Sequence, residues 1–134
     1  MIESTYQIRV RYAETDKMGY VYYGNYAMYF EVARVELFRS YGVSYKEMED
    51  EGVMMPVLEH NTKYIKPARY DDLLTIQTKI SAKPGVRVTF NYEVFNERKE
   101  LLTTAHTTLV FIEMKTGRPT QPPQYFQKIL DEAI

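Results

Sequence analysis

The chain has 134 residues, of which 45% are hydrophobic, 17 are basic and 18 are acidic, so its formal net charge is −1. This length and apolar content suit one core, and we expect a single domain over residues 1–134 that has no bulk attraction to nucleic acid or an anionic membrane. The absence of cysteine excludes disulfides and thiolate sites, and the lack of a leader or long apolar span favours a cytoplasmic protein without a membrane span.

The first predicted element is a strand near the start of the chain. Aromatic and aliphatic residues occupy every second position there: Tyr6, Ile8, Val10 and Tyr12. This period of two predicts a strand with one buried face. Asp16 then lies in a turn just beyond the predicted strand end, and local chemistry alone fits this residue as a turn former.

A long helix is predicted from Tyr26 to Tyr41. Residues at helical spacing form one apolar stripe: Tyr26, Tyr29, Phe30, Ala33, Leu37 and Tyr41. Met28, Val32 and Val35 widen this stripe, so we expect cover from more than one direction. The amino end of the helix has unpartnered backbone N–H groups and the positive end of the dipole, which suit an acyl oxygen that gains negative charge.

A short helix follows the long one. Gly42 is suited to end the long helix in a left-handed conformation. Ser44 followed by Glu47 is the pattern of a capping box, and it predicts a short helix that ends near Gly52.

The rest of the chain is predicted to be mainly strands. Alternation and turn-forming residues predict strands over 74–80 and 88–94, and a longer apolar and threonine-rich strand over 101–114. Pro122 and Pro123 precede an amphipathic helix over 124–134. This order predicts an α+β fold in which a twisted antiparallel sheet wraps around the long central helix.

Two sequence blocks resemble a known enzyme family. The first is Tyr12-x-x-x-Asp16-x-x-Gly19-x-Val21-Tyr22-Tyr23-x-Asn25-Tyr26, continued by Tyr29-Phe30-Glu31-x-Ala33-Arg34, and the second is Tyr64-x-x-Pro67-Ala68-x-Tyr70-Asp71-Asp72. They resemble the hotdog-fold acyl-CoA thioesterases, in the group of 4-hydroxybenzoyl-CoA thioesterase and the YbgC-like enzymes. The resemblance implies a hotdog fold and a homodimer or homotetramer with active sites at subunit interfaces.

The resemblance implies roles for three residues. Asp16 matches the catalytic aspartate of the family, and Tyr12 matches a tyrosine near it. Tyr23 stands where a backbone N–H polarises the thioester carbonyl; many YbgC-like members have histidine there, and the 4-hydroxybenzoyl group has tyrosine. Asp16 can attack the carbonyl as a nucleophile or activate water as a general base, and the sequence leaves both routes open.

Substrate-binding residues are expected around the motif and near loops. The candidates within the motif are Gly19, Tyr22, Asn25 and Tyr26. The candidates for contacts with CoA are cations: Lys63, Lys66, Arg69, Lys83 and Arg87. Lys83 and Arg87 flank Gly85, a turn residue that can let backbone amides approach a phosphate.

The sequence therefore predicts an enzyme that hydrolyses short or medium acyl-CoA or aroyl-CoA. No metal or redox cofactor is expected, because His60 and His106 are isolated from other ligand residues and fit structural roles in strands. Two alternatives stay open. An acyl carrier protein thioesterase needs a basic docking patch for its acidic partner, and a non-catalytic acyl-CoA-binding module keeps the fold without the chemistry.

Overall fold

Two antiparallel sheets appear in the computed structural model, which describes residues 2–133. The strands are β1 (Ile2–Arg9), β2 (Val53–Met54), β3 (Val57–Tyr64), β4 (Leu73–Ile80), β5 (Arg87–Phe95), β6 (Leu101–Val110), β7 (Ile112–Glu113) and β8 (Arg118–Pro119). The main sheet has the order β1-β4-β5-β6-β3, and the small sheet has the order β2-β7-β8. Within the main sheet β1 and β3 are therefore the edge strands.

Helices cover one face of the main sheet. They are α1 (Tyr26–Ser40), α2 (Tyr45–Asp50) and α3 (Gln124–Ala133), with 3₁₀ turns at Tyr12–Glu14 and Tyr23–Asn25. Phe30 of α1 stacks on Tyr92 of β5 with ring centroids 4.4 Å apart, and Phe38 contacts Phe126 of α3 at 4.9 Å. These contacts place α1 at the centre of the core and confirm the predicted α+β arrangement of an antiparallel sheet around one long helix.

Helix α1 is buried along one stripe but is not covered on every apolar side. The buried stripe matches the prediction at Tyr26, Tyr29, Phe30, Ala33 and Leu37, and it includes Phe38. Met28 and Val32 are 51% and 37% exposed, so the expected cover from a second direction is wrong for a single protomer. The sheet reaches only one side of the helix, and both residues lie on the other side.

Strand β1 begins and ends earlier than the alternation predicted. Its side chains do alternate in burial, but the ladder with β4 stops at Arg9. Val10 then donates its N–H to the Asp72 carbonyl at 2.9 Å, and Tyr12 begins a 3₁₀ turn. The prediction of Tyr12 as a strand residue is therefore wrong, because the period of two continues in the sequence past the point where the ladder ends.

The predicted strand over 101–114 is divided at Phe111. Its ring is fully buried and packs against Phe126, with centroids 5.7 Å apart. Its N–H donates to the Val86 carbonyl at 2.9 Å, and its carbonyl accepts from Thr120 N–H at 2.8 Å. With these contacts the chain leaves the main sheet at Phe111 and enters β7 of the small sheet. The uniform apolar pattern of the sequence gave no sign of this division.

The helix ends agree with the local sequence signals. Gly42 and Gly52 have φ values of 81° and 98°, a conformation that glycine adopts at little cost. The Ser44 hydroxyl accepts from Glu47 N–H at 3.3 Å and caps α2. Helix α3 begins at Gln124 as predicted, and its predicted last residue, Ile134, lies outside the described residues.

Candidate active site

The loop between β1 and α1 is organised around the buried carboxylate of Glu14, which is 5% exposed. Its Oε1 accepts from Arg11 N–H at 2.8 Å and from the Tyr29 hydroxyl at 2.9 Å, and its Oε2 accepts from Arg11 Nη2 at 2.8 Å. Burial alone would raise the pKa of Glu14, but the hydrogen bonds from Arg11 and Tyr29 outweigh it and lower the pKa. Glu14 is therefore a charged anchor.

The backbone carbonyl of Glu14 fixes the start of α1. It accepts from Tyr22 N–H at 2.9 Å and from Asn25 Nδ2 at 2.8 Å. The side chain of Asn25, a predicted substrate-binding residue, is thus used to tie the helix start to the loop. Sequence reasoning missed Glu14; the available signal was that the Tyr29 hydroxyl, on the buried stripe of α1, needs a polar partner.

Asp16 forms a tight turn next to this anchor. Its Oδ1 accepts from Met18 N–H at 3.0 Å and from Tyr20 N–H at 3.2 Å. Gly19 has a φ of 81° and donates its N–H to the Asp16 carbonyl at 3.0 Å. Within residues 2–133, Asp16 Oδ2 accepts no hydrogen bond, so one carboxylate oxygen holds the turn and the other is available to a ligand.

The amino end of α1 presents two backbone N–H groups without partners. The 3₁₀ turn Tyr23–Asn25 leads into the helix, and Asn25 N–H donates to the Tyr22 carbonyl at 2.9 Å. In the described part of the chain, the N–H groups of Tyr23 and Gly24 make no hydrogen bond. Unpaired amides at the positive end of a helix dipole suit a developing oxyanion.

A cleft of about 300 Å³ lies beside these groups. Its lining is mostly apolar and aromatic: Asp16, Met18, Tyr20, Val21, Tyr23, Tyr26, Tyr64, Ile65, Lys66 and Pro67. The rings of Tyr26 and Tyr64 meet edge to face with centroids 5.2 Å apart, and burial raises the pKa of Tyr26. The structure therefore brings together four of the predicted site residues: Asp16, Tyr23, Tyr26 and Lys66.

The other residues of the first motif block that were predicted to belong to the site do not line the cleft. Tyr12 is 78% exposed, and its ring meets that of Tyr70 at 5.5 Å. The Tyr22 ring lies against that of Tyr23 with centroids 4.9 Å apart. Gly19 shapes the Asp16 turn, so its contribution within one protomer is to the backbone.

The predicted CoA-binding cations are spread over the molecule. Arg87 is opposite Val110, whereas cleft-lining Tyr64 is opposite Thr103, seven residues along β6 or about 23 Å away at the usual strand rise. Lys83 is at the same far end and pairs with Asp131 of α3 at 2.5 Å. A single protomer therefore does not bring Lys83 and Arg87 to the cleft.

The remaining cations are nearer to the cleft. Lys63 lies on edge strand β3 beside Tyr64 but does not line the cleft. The Arg69 guanidinium lies 4.9 Å above the centre of the Tyr20 ring. Lys66 does line the cleft, and its Nζ donates to Glu100 Oε2 at 2.7 Å.

The two histidines bond to side chains of β3 and β6. His60 Nδ1 and Nε2 each lie 2.8 Å from a threonine hydroxyl, those of Thr107 and Thr62, and His106 Nε2 lies 3.0 Å from Glu59 Oε1. Across residues 2–133, no group of three or more histidine or acidic side chains is placed to hold a metal ion. No helix in this part of the chain is long and apolar enough to cross a membrane.

Comparison with known proteins identifies relatives over nearly the whole chain. Residues 10–130 match the sequence profile described as the thioesterase-like superfamily. The putative acyl-CoA thioesterase YneP of Bacillus subtilis is 36% identical over 115 residues, which cover 86% of this chain and 83% of YneP. The acyl-CoA thioester hydrolase YbgC of Escherichia coli is 32% identical over 117 residues, which cover 87% of each protein.

Solved structures show the same architecture. The DHNA-CoA thioesterase of Staphylococcus aureus superposes with a TM-score of 0.93 at 38% identity, covering 99% of this chain and 91% of that protein. The similarity extends through β1, α1 and the strands that follow, so the predicted hotdog fold is confirmed.

Proposed function

The chain belongs to the thioesterase-like superfamily, and on that premise we propose that it hydrolyses the thioester bond of a short or medium acyl-CoA or of an aroyl-CoA. The observation that carries this proposal is that one cleft is lined both by Asp16, which keeps one carboxylate oxygen without a partner in residues 2–133, and by Tyr23, whose N–H is unpaired at the start of α1. A reactive carboxylate and an oxyanion site are what thioester hydrolysis requires.

The Asp16 carboxylate and the backbone N–H groups at the start of α1 have different roles in thioester hydrolysis. The N–H groups of Tyr23 and Gly24 stabilise the negative charge that develops on the thioester oxygen. Asp16 Oδ2 either takes a proton from an attacking water or attacks the carbonyl carbon itself, giving a mixed anhydride that water then hydrolyses. In both routes the carbon–sulfur bond breaks and CoA leaves as a thiolate, which needs less help from a proton donor than an alkoxide because thiols are more acidic than alcohols.

The relatives support the substrate range. YneP and YbgC carry acyl-CoA in their names, and the Staphylococcus aureus protein is a thioesterase for DHNA-CoA. The apolar, tyrosine-rich lining of the cleft suits either an aliphatic chain or an aromatic ring.

We also propose a homodimer or homotetramer with the cleft at a subunit interface. Edge strand β3 leaves Val57, Leu58 and Tyr64 about half exposed. Antiparallel pairing of two β3 strands centred on Asn61 would place Glu59 opposite Lys63 of the partner subunit, a favourable charge pair. Because Tyr64 lines the cleft, this pairing would bring the partner subunit next to the site.

Sedimentation velocity tests the assembly. We expect at least a dimer for the wild type, a weaker dimer for Glu59→Lys, and recovery when Lys63→Glu is added, because the charge pair is then restored in reverse. A monomeric wild type would contradict the proposed pairing of two β3 strands. So would a dimer whose strength is unchanged in Glu59→Lys and in the Glu59→Lys/Lys63→Glu double variant.

The catalytic proposal is tested by measuring free CoA released from short, medium and aromatic acyl-CoA thioesters, with Asp16→Asn in parallel. We expect the wild type to hydrolyse at least one substrate and the variant to lose that activity. Hydrolysis of acyl carrier protein substrates alone would move the protein to that substrate class. Tight binding of acyl-CoA without turnover by the wild type would identify a binding module.

A further inference from the structure

The turn between β5 and β6 holds two cations on one carboxylate at the edge of the cleft. Glu100 Oε2 accepts from Lys66 Nζ at 2.7 Å, and Glu100 Oε1 accepts from Arg98 Nε at 2.8 Å. Asn96 completes the arrangement: its Nδ2 donates to Glu100 Oε1 at 2.9 Å, and its Oδ1 accepts from the N–H groups of Arg98 and Glu100 at 3.0 Å. We call Lys66 and Arg98 in this arrangement the cation fork.

Some N–H groups of the cation fork have no protein partner within residues 2–133. Arg98 uses only its Nε within residues 2–133, its side chain is 78% exposed, and its two terminal nitrogens have no protein partner. The Lys66 ammonium has three N–H donors, of which Glu100 takes one. Fixed cations with free N–H donors form a geometry that phosphate oxygens can bind.

The local charge also favours an anion. Lys66, Arg98 and Glu100 sum to +1. Two further carboxylates, Glu97 and Asp72, also act on Arg98, but Glu97 Oε1 pairs with Arg9 Nη1 at 3.8 Å and Asp72 Oδ2 accepts from Arg69 N–H at 2.9 Å. The hydrogen bonds of Glu100, first among them the one from Lys66, lower the pKa of its carboxyl to about 2, so it stays ionised near neutral pH and keeps holding both cations. The next residue in the turn, Lys99, adds a further positive charge.

The position of the cation fork relative to the cleft indicates what it binds. Lys66 lines the cleft that contains Asp16, while Arg98 lies beyond it on the exposed turn. A substrate whose thioester is at Asp16 must extend its CoA arm out of this cleft, and that arm ends in phosphates. We propose that the cation fork binds a phosphate group of CoA, with Glu100 as the residue that positions it; this rests on the proposed function.

The direct test is calorimetric binding of CoA and of pantetheine, which lacks the phosphates. For the double variant Lys66→Met/Arg98→Met we expect CoA to bind about tenfold or more weakly, as for the loss of charge-assisted hydrogen bonds. Arg98→Met alone, at the residue outside the cleft lining, should also weaken CoA binding and leave pantetheine binding unchanged. Lys115→Met, which removes one exposed cation from the β7–β8 turn, serves as a control and should bind CoA as the wild type does.

Kinetics supply a second measurement. Arg98→Met, which changes the member of the cation fork that does not line the cleft, should raise the KM for acyl-CoA with little change in kcat. It should leave acyl-pantetheine hydrolysis unaffected, because the lost contact is equal in the ground state and the transition state. Weaker binding of CoA and pantetheine alike in Arg98→Met, or CoA binding at the wild-type level, would overturn the proposal.

Glu100→Gln separates positioning from simple attraction. This change increases the local positive charge, so attraction alone predicts tighter CoA binding. Positioning predicts weaker binding, because neither cation is then held by a charged partner. Tighter binding would overturn the role of Glu100. Binding is measured without turnover, so a protein that lost CoA affinity in these variants but hydrolysed no thioester would retain this inference and reject the proposed function.

Discussion

Two carboxylates that are two residues apart in the chain have opposite surroundings. Both oxygens of Glu14 are occupied by donors from Arg11 and Tyr29, and the side chain is buried. Asp16 lines a cleft and uses Oδ1 for its turn, while its Oδ2 accepts no hydrogen bond within residues 2–133. The difference teaches that burial and full hydrogen bonding make a carboxylate structural, whereas a half-satisfied carboxylate held rigidly by one oxygen is suited to chemistry.

The largest expected effect is the loss of activity in Asp16→Asn. We expect kcat to fall by about 10²- to 10⁴-fold, the usual contribution of a general base. Thermal unfolding should change little, because the Asn side-chain oxygen can still accept from Met18 and Tyr20. Asp16→Ala is the matched variant that removes the turn bonds as well, and it should lower Tm. Activity of Asp16→Asn within tenfold of the wild type would contradict the catalytic role.

Glu14→Gln should lower the stability of the folded protein. We expect the free energy of unfolding to fall by about 1–3 kcal/mol, as for hydrogen bonds to a buried charged group. Urea denaturation measures this change. Glu36→Gln removes a partly exposed carboxylate that pairs with the exposed Arg39 on α1, and it should cost well under about 1 kcal/mol. Equal losses in the two variants would mean that the Glu14 anchor is no stronger than a surface pair.

The pH dependence of stability provides a smaller effect. The pKa of Glu14 is lowered in the folded state from its ordinary value of 4.5. Its stabilisation is therefore complete above about pH 4.5 and is lost as the pH falls through the folded-state pKa. The stability difference between wild type and Glu14→Gln should shrink when urea denaturation is repeated at acid pH. Glu100 titrates in both proteins and cancels in this difference; a constant difference would contradict the charged anchor.

Tyr23→Phe should have the smallest effect. The group proposed to act is the backbone N–H of Tyr23, and the substitution retains both this group and the aromatic ring against Tyr22. We expect kcat to stay within about threefold of the wild type, since only the phenol hydroxyl is removed. A loss beyond tenfold in the acyl-CoA assay would show that the hydroxyl takes part.

Local patterns predicted the helices and most strands well. The apolar stripe that begins at Tyr26 predicted which face of α1 is buried, because residues at helical spacing lie on the same face of a helix. The motif also placed Asp16, Tyr23 and Tyr26 together, and the structure finds all three in one cleft. These residues are close in the chain, so a turn and a helix start are enough to bring them together.

Contacts between distant segments were harder to predict. The buried anchor depends on Glu14 meeting Tyr29 across a loop, and a charged residue beside Asp16 gave no sign of burial in the sequence. The positions of Lys83 and Arg87 depend on strand register, which places them at the far end of the sheet from Tyr64. Period identifies a face of a strand but not its neighbour or its register.

The Glu14 carbonyl holds the oxyanion donors independently of the part of the cleft that would select the acyl group. One atom accepts from both Tyr22 N–H and Asn25 Nδ2, so the intervening amides of Tyr23 and Gly24 are oriented from the protein interior. The opposite wall of the cleft comes from a separate segment, Tyr64 to Pro67. Substitutions in that wall can therefore change the shape of the acyl pocket while the N–H groups of Tyr23 and Gly24 keep their orientation. This segment is the natural starting point for redesigning substrate selectivity.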